Sequence, residues 1–246
     1  MIVTTRKACL AVALSALAFG AGAGAAAGAE PLPQPGDPVT LDPAQFGGPI
    51  DNPWMPLAPG SRWVYREIDE EGLEHRVDVT VLDTTRTILG IEATIVHDVA
   101  SLDGVVEEDT FDWYAQDANG DVWYLGEATT EYEDGVPSST AGSWEAGVAG
   151  AQPGIVALAD PAVGDTYSQE YLEGEAEDAA GVLSLDEWAQ VPFGTFRDVL
   201  LTREFTPLTP DVLEYKLYAR GVGQVLALGV SGGASREELV EFVPAP

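Results

Sequence analysis

The residues whose spacing could do chemistry most directly are Asp117-Ala-Asn119-Gly-Asp121, three oxygen-bearing side chains at alternate positions. That is how a calcium loop opens. The full loop also needs Gly at its sixth position and Glu at its twelfth; Val122 and Ala128 stand there, with Glu127 one residue early. Asn-Gly between alternating strands is also a type I′ hairpin signal. Asp117, Asn119 and Asp121 are therefore weak metal candidates, for Ca²⁺ if for any ion, on a segment that reads first as a turn.

The chain has two histidines, His75 and His97. His97 precedes Asp98, but neighbours on a strand point to opposite faces, so that pair cannot act as base and orienter. A zinc site would need both histidines plus carboxylates. Gly229-Val-Ser231-Gly-Gly233 matches the nucleophile-elbow pattern. Hydrolases of that fold place a histidine after the serine, and none follows here. Acidic residues crowd two turns, Glu67, Asp69, Glu70, Glu71 and Glu74 in one and Glu173, Glu175, Glu177 and Asp178 in the other. Such carboxylates serve glycoside hydrolysis or bind Ca²⁺ in other settings. At exposed hairpin tips they form a solvated rim. No catalytic residue is assigned.

The elements that would position these groups have a period of two. Val77, Val79 and Val81 alternate with Arg76, Asp78 and Thr80; Phe111, Trp113 and Ala115 alternate with Thr110, Asp112 and Tyr114. This marks half-buried antiparallel strands. Turn signals separate them at Glu71-Gly72, Asp103-Gly104, Asn119-Gly120, Asp134-Gly135 and Gly221. The pattern predicts strands near 62–70, 74–84, 91–100, 105–116, 121–133, 165–173, 177–188, 196–206, 212–220, 223–230 and 237–243, and no helix.

The strands also come twice. Gly60-Ser-Arg-Trp63 is echoed by Gly164-Asp-Thr-Tyr167, Leu82-Asp83 by Leu185-Asp186, Gly90 by Gly194, and the run Tyr114–Gly126 by Tyr218–Gly229, at offsets of 103 or 104. A constant offset predicts a duplicated unit. The fold class is all-β: an antiparallel meander forming a barrel or half-barrel from two internal repeats of about five strands. Repeat 1 spans 60–133, a Gly-, Ala- and Pro-rich connection 134–163, and repeat 2 164–243, within a β domain of residues 60–246.

Residues 1–29 read as a secretory signal peptide: Arg6-Lys7, an apolar run from Ala8 to Phe19, and Ala27-Gly28-Ala29 before Glu30. The apolar run is too short for a membrane span. The single cysteine, Cys9, lies inside this segment, so a mature chain forms no disulfide-linked oligomer. Residues 30–59 are a Pro-rich linker or arm ending in the apolar run Ile50–Leu57. Past residue 29 the chain carries 9 basic and 41 acidic side chains, net −32, with Lys216 its one lysine. That charge repels nucleic acid and anionic membranes.

The runs Ile50-Asp-Asn-Pro-Trp-Met-Pro-Leu-Ala-Pro-Gly-Ser-Arg-Trp-Val-Tyr65, Asp112–Glu127, Gly142-Ser-Trp-Glu-Ala-Gly147, Gly194-Thr-Phe196 and Tyr218-Ala-Arg-Gly-Val-Gly223 resemble a family of uncharacterised secreted bacterial proteins of the curved-sheet, domain-of-unknown-function type. The resemblance implies an antiparallel curved sheet and a secreted or periplasmic address. It brings no catalytic residue and no cofactor.

The expected function is a non-enzymatic secreted β-domain that binds a small apolar or amphipathic molecule, or a partner protein. The alternative is a Ca²⁺-organised structural or interaction protein of the cell envelope. A carboxylate-dependent hydrolase comes third.

Overall fold

The computed structural model describes residues 31–246, so the signal-peptide reading and Cys9 lie outside the described residues. Fifteen strands form one antiparallel sheet, and the only helical turn among the described residues is the 3₁₀ turn Pro43–Gln45. The strands are β1 (Arg62–Ile68), β2 (Glu74–Ile88), β3 (Ile91–Leu102), β4 (Val105–Gln116), β5 (Val122–Glu133), β6 (Val136–Ser139), β7 (Trp144–Glu145) and β8 (Gln152–Ala157). The second half supplies β9 (Thr166–Ser168), β10 (Glu170–Tyr171), β11 (Ala179–Val191), β12 (Gly194–Phe205), β13 (Leu213–Ala219), β14 (Gly223–Ser231) and β15 (Arg236–Val243).

The all-β antiparallel fold is the one the alternation predicts. The path runs β10-β8-β5-β4-β3-β2-β1-β15-β14-β13-β12-β11-β9. Each half is a five-strand meander, β1 to β5 and β9 with β11 to β14. The halves enter their sheets alike. Gly60 N–H donates to Val81 O and Val81 N–H to Ser61 O; Gly164 N–H donates to Val182 O and Val182 N–H to Asp165 O, all at 2.9–3.0 Å. Gly60 and Gly164 hold φ of +91° and +101°, a region that suits glycine. β15 pairs with both β1 and β14 and welds the halves together.

The ladder is not closed. Its two edges, β9 and β10, are successive pieces of one stretch of chain, separated by Gln169. Gly154 of β8 sits against this seam: a Cβ there would lie 2.4 Å from Ser168 O and from the Gln169 carbonyl carbon. The sheet thus wraps into a barrel whose edges meet through one chain segment.

Two features differ from the sequence expectation, and one open alternative is decided. The stretch read as a connection carries β6, β7 and β8, all pairing with β5. β6 and β7 are short, with two to four residues each, too few for alternation to register. The Pro-rich segment, read as a linker or arm, is the arm, and its apolar end docks as that composition allows: Ile50, Trp54 and Leu57 are buried. Asn52 clamps it, donating from Nδ2 to Gly120 O at 2.8 Å while its N–H donates to Gln116 Oε1. Finally, both faces of β3 and β4 are covered. Ala93, Trp113 and Ala115 pack in one cluster with Ile88, Ile91 and Trp144, while Val96 belongs to another with Val77, Val81 and Leu239.

Candidate functional site

The inward positions of both meanders enclose a half-open cavity of about 210 Å³. Its apolar wall comes from Val77 and Val79 on β2, Val96 on β3, Val156 on β8, and Met55 and Leu57 of the docked arm. Trp63 and Tyr65 of β1 and Tyr114 of β4 add aromatic surface. Two of these rings are pinned: Trp63 Nε1 donates to Val222 O at 2.7 Å and Tyr65 Oη to Gln224 O at 3.0 Å.

The same wall carries charge. Asp98, Asp112 and Glu237 line the cavity, together with Lys216. Alternation puts them there: Val96 and Asp98 share a face of β3, Asp112 and Tyr114 a face of β4, and Glu237 and Leu239 a face of β15. Register brings them alongside one another, since Val96 pairs with Asp112 and Val79 with Asp98.

Their partners are unequal. Lys216 Nζ lies 2.6 Å from Glu204 Oε2, so this cation is already neutralised. Burial works against the ammonium, but the Glu204 charge outweighs it and the Lys216 pKa ends well above its ordinary value. Glu237 accepts from Gln224 Nε2 at 2.6 Å. Asp112 lies 2.6 Å from Tyr124 Oη, which also lies 2.8 Å from Glu127 Oε2. One hydroxyl has one proton to give, so two carboxyls at these distances require a second proton, held on a carboxyl. Asp98 has no hydrogen bond or ion pair among the described residues.

Burial is the main cause of the resulting shifts, and neighbouring carboxylates add to it. Asp112 is pushed up to about 6 and Glu237 and Glu127 to about 7. Asp98 rises well above its ordinary value through burial, then through Asp112, Glu237 and Glu108. A barrel interior with several carboxyls and one paired lysine holds a negative potential whenever those groups ionise.

The residues singled out from the sequence lie elsewhere. Asp117 Oδ1 accepts the N–H groups of Asn119 and Asp121 at 2.8 and 3.0 Å, and Oδ2 accepts from Trp123 Nε1 at 3.1 Å. Asp121 Oδ1 accepts from Ala159 N at 2.7 Å. These carboxylates brace the turn, tying it to β5 at Trp123 and to the chain just past β8 at Ala159. No group of three or more His, Cys, Asp or Glu is arranged to hold a metal among the described residues. Register keeps the histidines apart, since His75 pairs with Leu102 and His97 with Thr80. His75 sits between Glu107 Oε2 at 2.8 Å and Asp69 Oδ2 at 3.1 Å; His97 stacks on Phe111 at 4.3 Å. Ser231, the last residue of β14, donates from Oγ to Asp211 O at 2.7 Å.

Asp98, Asp112, Lys216 and Glu237 were not read as site residues in the sequence. Asp112 was placed on the polar face opposite Trp113, which is right, but that face is the inside of the barrel. One apolar and one polar face read as core against solvent, so nothing local in β4 signals that its polar face is enclosed.

No protein-family model matches the chain, and no curated protein does. Solved structures give distant likenesses. A Bacteroides fragilis protein provisionally described as exported, with a YmcC-like fold, shares 12% identity over 78% of this chain and 99% of its own, with a TM-score of 0.46. A Parabacteroides distasonis protein provisionally described as a lipoprotein shares 14% over 77% and 98%, with a TM-score of 0.42. A beta-barrel-like protein of the domain of unknown function DUF1849 from Brucella abortus shares 13% over 76% and 98%, with a TM-score of 0.36.

Proposed function

We propose that this is an exported, non-enzymatic binding protein whose barrel interior holds one small amphipathic molecule. The observation that carries this is the cavity itself, where an aliphatic and aromatic wall meets convergent polar groups. That mixture is how small-molecule sites are lined. Its 210 Å³ falls below the ~300–1,000 Å³ usual for such pockets. At the ~30 Å³ of liquid that a water occupies, this is room for about seven waters, which suits a small ligand. The export reading is supported by Arg6-Lys7, the apolar run and Ala27-Gly28-Ala29.

Native mass spectrometry of protein recovered gently from its exporting host tests this. A discrete small-mass adduct should appear on the wild type and be lost in Val79→Phe, which fills the cavity. Bare protein in both, with no uptake when amphiphiles are added back, would overturn the reading.

One observation favours a second reading, a carboxylate-dependent hydrolase. Asp98 and Asp112 converge in one cleft with both carboxyls shifted upward, as active-site acids are. Turnover of chromogenic glycosides that vanishes in Asp98→Asn would establish it; ligand binding without turnover would exclude it.

A further inference from the structure

We infer that the ligand of this cavity is an organic cation, an ammonium head carried on a short apolar tail. This deepens the binding reading above and rests on it. The argument is a balance of partners. Of the four charged side chains lining the cavity, Lys216 is taken up by Glu204 at 2.6 Å. Asp112 has one hydroxyl and Glu237 one amide. Asp98 is half-buried, opens onto the cavity and has no hydrogen-bond or ion-pair partner among the described residues. A carboxylate that opens onto a ligand-sized cavity with no protein partner is free to take one from a ligand, and its best partner is a donor, preferably a charged one.

The surroundings select the same charge. Facing Asp98 are Asp112 and Glu108 from β4 and Glu237 from β15, with Lys216 on β13 already paired. An anionic head would meet these carboxyls with no free cation to receive it. A neutral head would leave Asp98 either protonated or unpaired. An ammonium compensates the carboxylates, and the same wall carries the aromatic rings of Trp63, Tyr65 and Tyr114. The net −32 of the chain past residue 29 draws cations toward the mouth. The valines and Leu57 take the tail.

Burial holds the cavity carboxyls partly protonated near neutral pH, with Glu237 near 7. An arriving cation favours their ionised forms, so binding should expel protons and tighten as pH rises from 5 to 8, while an alkylammonium keeps its charge throughout.

The test uses one tail with three heads: octylammonium, 1-octanol and octanoate, titrated calorimetrically into the wild type, Asp98→Asn and Glu237→Gln. We expect octylammonium to bind about tenfold or more tighter than octanol, as one charge-assisted hydrogen bond provides. Octanoate should bind weakest. Octylammonium binding should release protons, read from two buffers of different ionisation enthalpy. Asp98→Asn should bring octylammonium down to the octanol level and leave octanol unchanged; Glu237→Gln should do so in part. Octanol or octanoate binding as tightly as octylammonium would overturn the cation inference and leave the binding reading standing. Failure of all three to bind would overturn both.

Discussion

Replacing Glu237 by Gln should stabilise this protein at alkaline pH and leave it unchanged at acid pH. Glu237 lies in the cavity wall, and burial lifts its carboxyl from 4.5 to about 7, with Glu67 adding to the shift. The folded state therefore binds this proton more tightly than the unfolded chain. Below the ordinary carboxylate range both states are protonated and the residue costs nothing. As pH rises toward about 7, the unfolded chain ionises and the folded state resists, so stability falls. The full rise corresponds to about 3 kcal/mol at 1.36 kcal/mol per pH unit. Glu237 keeps some contact with cavity water, which screens the charge and brings the expectation to about 1–2 kcal/mol. Glutamine keeps the shape and can still accept from Gln224. Urea unfolding at pH 4 and pH 8.5 should show almost no difference at the first and a gain of about 1–2 kcal/mol at the second, or about 3–6 °C in Tm. Equal effects at both pH values, or a loss at pH 8.5, would refute the burial argument.

Other outcomes follow from the same structure. Wild-type stability should peak near pH 5 and fall toward pH 9, because Asp112, Glu127, Glu237 and Glu170 all have raised pKa values; Asp69, Asp78 and Glu238, held low, limit it on the acid side. A urea midpoint that rises steadily from pH 5 to 9 would contradict this. His75, raised despite burial by its bonds to Asp69 and Glu107, stabilises below 6.5 and loses that contribution as pH climbs through its folded pKa. His75→Gln should therefore cost about 1 kcal/mol at pH 5.5 and less at pH 9. Gly154→Ala should cost about 1–3 kcal/mol by forcing β8 off the seam, read as a lowered Tm. NaCl should raise Tm by screening the net charge, and calcium at matched ionic strength should add nothing that Asp117→Asn removes, since that carboxylate already accepts three N–H bonds. A calcium increment lost in the variant would restore the calcium-loop reading.

The strands were legible because alternation and turn residues act locally: β4 begins and ends where the pattern places it, at Val105 and Gln116. The two meanders were legible from the constant offset of the repeated residues, of which Gly60 and Gly164 both hold the positive φ that favours glycine. Long-range facts were not. That β15 sits between β1 and β14 depends on pairing across the whole chain. The site was hidden for a related reason. Alternation separates the two faces of a strand but does not say which is inside, and in β4 a docked arm and β7 bury the outer one. Polar residues such as Asp112 then read as solvent-facing when they line the cavity. Lys216 stood out in composition as the one lysine past residue 29, yet its pairing with Glu204 needs the register of β12 and β13.

The central claim, that the barrel interior is a ligand site, is tested most directly by methyl and amide NMR during titration with octylammonium. Saturable shifts should appear together at Val77, Val79, Val96, Leu57 and Met55, at one site per chain, and vanish in Val79→Phe. Shifts confined to exposed side chains such as Val105, Val136 and Val163, or persisting in Val79→Phe, would contradict it.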